Sequence, residues 1–139
     1  MTVPSEHVRQ RVRQWASLAD EDLRLAEYAL TMESSCPYRL VAYHAQQCTE
    51  KYLKAYLVLL GVDFPFTHNI SALLELCEPT APWALALTQA EALTAYAVTA
   101  RYPGLEQEVT AAEALEAIAA ARQVRQTVRQ DLETRGLTV

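Results

Sequence analysis

The stretch Tyr38-Arg-Leu-Val-Ala-Tyr-His-Ala-Gln-Gln-Cys-Thr-Glu-Lys-Tyr-Leu-Lys-Ala-Tyr-Leu-Val-Leu-Leu-Gly61 decides the fold. At about 100° per residue, Val41, Ala45, Cys48, Tyr52 and Tyr56 form one apolar stripe. His44, Gln47, Lys51 and Lys54 fall within a separate arc of about 80°. The pattern predicts a helix from Tyr38 to Leu60. Pro37 suits its first turn, and Gly61 is its natural C-terminal stop.

The same periodicity extends to both sides. Upstream, Val8, Val12, Trp15, Ala19, Leu23, Ala26 and Leu30 mark one face of a first helix, capped by Ser5 and ended by Glu33, Ser34 and Ser35. Downstream, Val62–Phe66 reads as a loop containing Pro65, and Thr67 can cap a short third helix over about His68–Cys77. Pro79 and Pro82 break the chain. A fourth helix is expected over about Trp83–Ala100; with Glu91 its only charge, it should be central in the core or sit in a subunit interface. Pro103 and Gly104 end it. Thr110-Ala-Ala-Glu113 is a capping box that opens a last helix, running to about Arg135. The core face of that helix is Ala114, Ile118, Ala121, Val124, Val128 and Leu132, and Gly136 stops it. The expectation is an all-α protein: an up-and-down antiparallel bundle of four long helices and one short one. It should form a single domain over residues 1–139, with short flexible ends at about 1–4 and 136–139.

Composition agrees. The 139 residues are 51% hydrophobic, with three Gly and six Pro, which excludes a disordered chain, a collagen-like repeat and a disulfide scaffold. The net charge of −5 argues against a general nucleic-acid coat. All 12 basic residues lie at 9–54 and 101–135, so a local basic surface built from both chain ends stays open. Cys36, Cys48 and Cys77 lack metal or redox spacing and read as small buried thiols in a reducing compartment. The N-terminus has no apolar run resembling a signal peptide, and no apolar stretch is long enough to span a membrane. A cytoplasmic protein without a membrane partner is expected.

The stripe of one imidazole, one amide and two ammonium groups can hydrogen-bond a phosphate, a base or a partner's carboxylates. It can equally be a solvated face with a Glu50–Lys54 pair. Arg101 suits either a helix-terminal cation or a phosphate ligand beside Tyr102, whose ring can stack on a base. His68 reads as a loop-ordering hydrogen bonder. Arg122, Arg125 and Arg129 share a face that is either solvated or able to meet RNA or an acidic partner. His7, His44 and His68 lack metal-ligand spacing, and three isolated glycines make no phosphate loop, so no metal and no cofactor are expected.

Tyr43-His-Ala-Gln-Gln47, with Glu50-Lys51 and Lys54-Ala55, resembles the signature helix of the HEPN domain family. The resemblance continues through Leu60-Gly-Val-Asp-Phe-Pro-Phe-Thr-His68, then Leu73-Leu-Glu-Leu-Cys77 and Ala97-Val-Thr-Ala-Arg-Tyr-Pro103. It implies a helical bundle that usually dimerises, often beside a small nucleotidyltransferase partner, in groups that include ribonucleases and nucleotide binders. The expected partners are therefore a second copy, a nucleotidyltransferase in a toxin–antitoxin-like module, and a nucleotide or RNA.

Catalytic members carry an Arg, then four to six residues, then a His. The matching Arg is Arg101, and Glu106, Gln107 and Glu108 stand where the His belongs. A carboxylate there repels phosphate and relays no proton at neutral pH. Arg39 and His44 have that spacing, but they sit on the second helix and point about 140° apart. The leading expectation is a nucleotide- or RNA-binding protein lacking the usual catalytic His, with His44, Gln47, Lys51, Lys54, His68, Arg101 and Tyr102 as candidate contacts and no confident catalytic residue. An endoribonuclease using a displaced His and a non-enzymatic adaptor or dimerisation protein are the alternatives.

Overall fold

In a computed structural model that describes residues 3–99 and 108–139, the chain is all-α among the described residues. The helices are α1 (Glu6–Ala29), α2 (Tyr38–Leu60), α3 (Ile70–Cys77), α4 (Thr94–Thr99) and α5 (Ala111–Thr134), with a 3-10 helical segment at Pro82–Leu93 before α4. Local chemistry sets the ends. Ser5 Oγ accepts the Val8 N–H at 3.2 Å. Gly61 adopts φ +69, the left-handed stop that a side chain resists. Thr110 and Glu113 close the capping box, each backbone N–H donating to the other's side chain at 3.1–3.2 Å.

The central helix is α2, which packs against α1, α3, α4, α5 and the 3-10 segment. Its Tyr52, Leu53, Tyr56 and Leu57 are wholly buried. Each contributes roughly 1.5–3 kcal/mol by leaving water. Small residues on α1 (Ala16, Ala19, Ala26) face the core, and every residue of the predicted α5 core face is buried. Side-chain pairs fix the directions. Trp15 meets Lys54, and Asp20 meets Tyr52, so α1 and α2 run antiparallel. Arg9 reaches the Gly136 carbonyl, Asp20 meets Arg125 and Glu27 meets Arg122, so α1 and α5 are antiparallel as well. Tyr52 meets Arg129 and Tyr56 meets Arg135, so α2 and α5 run parallel.

Two expectations need correction. Over the described residues 83–99, the expected long fourth helix is instead the 3-10 segment, broken at Leu87 (φ −101, ψ 21), followed by α4. Among the described residues the bundle therefore has three long helices, where four were expected. The reason lies in the spacing: Ala81, Ala84, Leu87, Ala90 and Leu93 are buried at every third position, the period of a 3-10 helix. The third helix starts at Ile70 rather than near His68, because the Asn69 side chain accepts the Ala72 N–H at 3.2 Å and takes the capping role given to Thr67. Thr67 Oγ1 instead accepts the Asn69 N–H at 3.0 Å. No described helix is long and apolar enough to cross a membrane.

Candidate functional site

Five of the sequence-derived candidates converge on two carboxylates. Asp22 of α1 accepts His44 Nδ1–H at 2.8 Å on one oxygen and Lys51 Nζ at 2.5 Å on the other. A carboxylate oxygen accepting here places a proton on His44 Nδ1, and in the neutral ring Nε2 is then the acceptor. Glu50 gathers the rest. It accepts His68 Nδ1–H at 2.6 Å, Lys54 Nζ at 3.2 Å and Gln46 Nε2 at 3.3 Å. Gln47 joins through Gln46, donating to its amide oxygen at 2.7 Å.

Lys54 and Gln47 are buried, so this side of α2 is not the solvated face that the sequence left open. Trp15, Phe64 and Phe66 surround Lys54 Nζ with ring centroids at 5.6, 5.7 and 5.9 Å. The ammonium exchanges its hydration for one carboxylate and three aromatic rings. His68 orders the loop before α3 by tying it to Glu50, as its reading as a loop hydrogen bonder implied. The proposed cation stripe is thus largely charge-compensated. Arg101 and Tyr102 lie outside the described residues.

A second constellation lies between α1 and α5. Asp20 accepts from the Tyr52 hydroxyl and from Arg125 Nε at 2.8 Å, and it pairs with Arg129 at 3.6 Å. Arg122 donates to Glu27 at 2.9 Å. Asp20, Glu27, Arg122, Arg125 and Arg129, with Arg24, line an open cleft of about 760 Å³. Burial and then the hydrogen bond to Asp20 push the Tyr52 phenol up to about 12, so it stays a donor. The hydrogen bond to Asp20 also raises Arg125.

Sequence reasoning found the Arg122, Arg125 and Arg129 row but not its partners. Asp is a poor residue for a helix interior, so Asp20 and Asp22 in the middle of α1 were the available signal. They serve opposite flanks of the helix, Asp20 toward α5 and Asp22 toward the polar side of α2. Among the described residues no group of three or more His, Cys, Asp and Glu is placed to hold a metal ion.

The fold and this α2 signature define a HEPN-type helical bundle. The HEPN domain family model matches residues 12–131, and the chain belongs to that family. No curated protein matches the chain, and no solved structure does.

Proposed function

We propose that this protein is a HEPN-type nucleotide- or RNA-binding module whose ligand phosphates lie in the α1/α5 cleft. The observation that carries the reading is the convergence of Arg24, Arg122, Arg125 and Arg129 on one open cleft that holds three carboxylates, Asp20, Glu27 and Glu133. Arg125 commits its Nε to Asp20, and Arg122 one terminal nitrogen to Glu27. Each fork keeps further N–H donors for phosphate oxygens. In the same reading the protein forms a homodimer and pairs with a small nucleotidyltransferase in a toxin–antitoxin-like module. Family membership supports that assembly, and co-purification from the host tests it.

Calorimetric titration of ATP and a short RNA tests the site. Binding should weaken with salt. Arg24→Ala and Arg122→Ala should each lower affinity by roughly 10–150-fold, the loss of one charge-assisted hydrogen bond. Lys51→Ala should leave affinity unchanged. The opposite pattern moves the ligand to the α2 face.

The Asp22–His44 pair supports a second reading, the ribonuclease with a displaced His. A carboxylate on Nδ1 orients the imidazole and leaves Nε2 to take a proton. RNA cleavage lost in a folded His44→Ala variant would establish it, and an inactive wild type refutes it.

A further inference from the structure

The outer flank of α1 beside the cleft is unexpectedly apolar. Tyr28 is 74% exposed and Leu25 54% exposed, although the opposite face of the helix is fully packed. Together with Glu21, Arg24, Glu27 and Thr31 they line a shallow groove of about 750 Å³. Arg24 and Glu27 belong to both the groove and the arginine cleft, so the two are continuous. Around α1, Asp20 and Glu27 face α5, Arg24 lies at the rim, and Tyr28, Glu21 and Leu25 follow within about another 100°.

Resting on the cleft reading above, we infer that this groove is a base-binding platform and that the ligand unit is a nucleotide whose base carries an exocyclic amino group. Three features lead there. Arg24 and Tyr28 are one turn apart, about 5–6 Å between Cβ atoms, a spacing that lets one group hold a phosphate while the other meets the base across the ribose. The Tyr28 ring and Leu25 give an exposed surface on which a planar base can stack. Glu21, which lines the groove but not the cleft, repels a phosphate there and accepts hydrogen bonds from the amino groups of adenine, cytosine or guanine. It therefore sets the direction, with phosphate toward the arginines of the cleft and base toward Tyr28. Uracil has no amino group to offer.

The probes are AMP, UMP, pyrophosphate, hexaadenylate and hexauridylate, titrated into the full chain. Wild type should bind AMP more tightly than UMP, and hexaadenylate more tightly than hexauridylate. Tyr28→Ala removes an exposed side chain, so folding should survive. It should weaken the adenine ligands by about 5- to 150-fold, the value of one base–aromatic stack, and leave pyrophosphate binding unchanged. Glu21→Ala should erase the preference for adenine over uracil. Comparable gains for AMP and hexaadenylate identify a free nucleotide as sufficient; a gain confined to hexaadenylate identifies a strand of RNA. If Tyr28→Ala binds AMP and hexaadenylate like wild type while pyrophosphate binds normally, the platform is refuted and the cleft stands. If wild type binds neither pyrophosphate nor any nucleotide, the cleft itself is refuted, and the platform with it.

Discussion

Replacing Glu50 with Leu should be among the most destabilising single changes in the chain. Glu50 is buried, its side chain 4% exposed, and it is the shared acceptor for Lys54, His68 and Gln46. Leucine fits the space but accepts nothing. Lys54, itself 8% exposed, then keeps a positive charge faced only by Trp15, Phe64 and Phe66. Stranding one member of a buried ion pair costs about 3–5 kcal/mol. Against a total stability of roughly 5–15 kcal/mol, that is a large share. Urea unfolding followed by circular dichroism should show the midpoint fall with little change in slope. Lys54→Met in the same background removes the stranded charge and should recover about 2 kcal/mol or more, because replacing both partners by apolar groups is far milder than removing one. A loss below about 1 kcal/mol for Glu50→Leu, the value of an exposed pair, would refute the buried-cluster account.

Leu93 tests whether the segment before α4 belongs to the core rather than to a subunit interface. It is 3% exposed, so Leu93→Ala should cost about 2–5 kcal/mol in urea unfolding, and light scattering should show no change in oligomeric state. The Tyr52 phenol is raised in the folded chain from 10 to about 12, so its contribution is full below pH 10 and is lost as pH rises toward 12. Stability should therefore fall more steeply over pH 10–12 in wild type than in Tyr52→Phe, and parallel curves would contradict a phenol raised by burial and by its hydrogen bond to Asp20. Thiol labelling of the native protein should modify Cys36 first. Cys48 and Cys77 are buried, and burial pushes both thiols up, Cys77 to about 12.

The parts of the fold that were legible in the sequence are those governed by local chemistry. Ser5, Gly61 and the Thr110–Glu113 box act within one helical turn, and they end helices where their residue types say they should. The inward faces of α1 and α5 followed from period alone. The segment after Pro82 was misread because an apolar composition suggests a buried helix, while the period of three in Ala84, Leu87, Ala90 and Leu93 separates a 3-10 helix from an α-helix. At the site, His44, Gln47, Lys51 and Lys54 were found as one arc. What the arc does depends on Asp22 and His68, far from it in sequence and brought there by packing. The cleft was hidden for the same reason: Arg122, Arg125 and Arg129 are on α5, and Asp20, Arg24 and Glu27 are on α1.

The paired use of Asp20 and Asp22 makes α1 behave like a key with teeth on two sides. Trp15 and Asp22 engage α2 and its neighbouring loop, while Arg9, Asp20 and Glu27 engage α5 and its end, Asp20 also accepting from the Tyr52 hydroxyl of α2. Inserting or deleting one residue within Ala16–Ala19 turns everything on one side of the change by about 100° and shifts it about 1.5 Å relative to the other side. Either the Trp15 contacts or both aspartate clusters must then disengage. Substitutions on the outer face of α1 leave that alignment intact, whereas a change of length by a single residue does not. Across variants of this chain, the segment from Trp15 to Glu27 should therefore tolerate exchange of exposed residues while holding its length fixed.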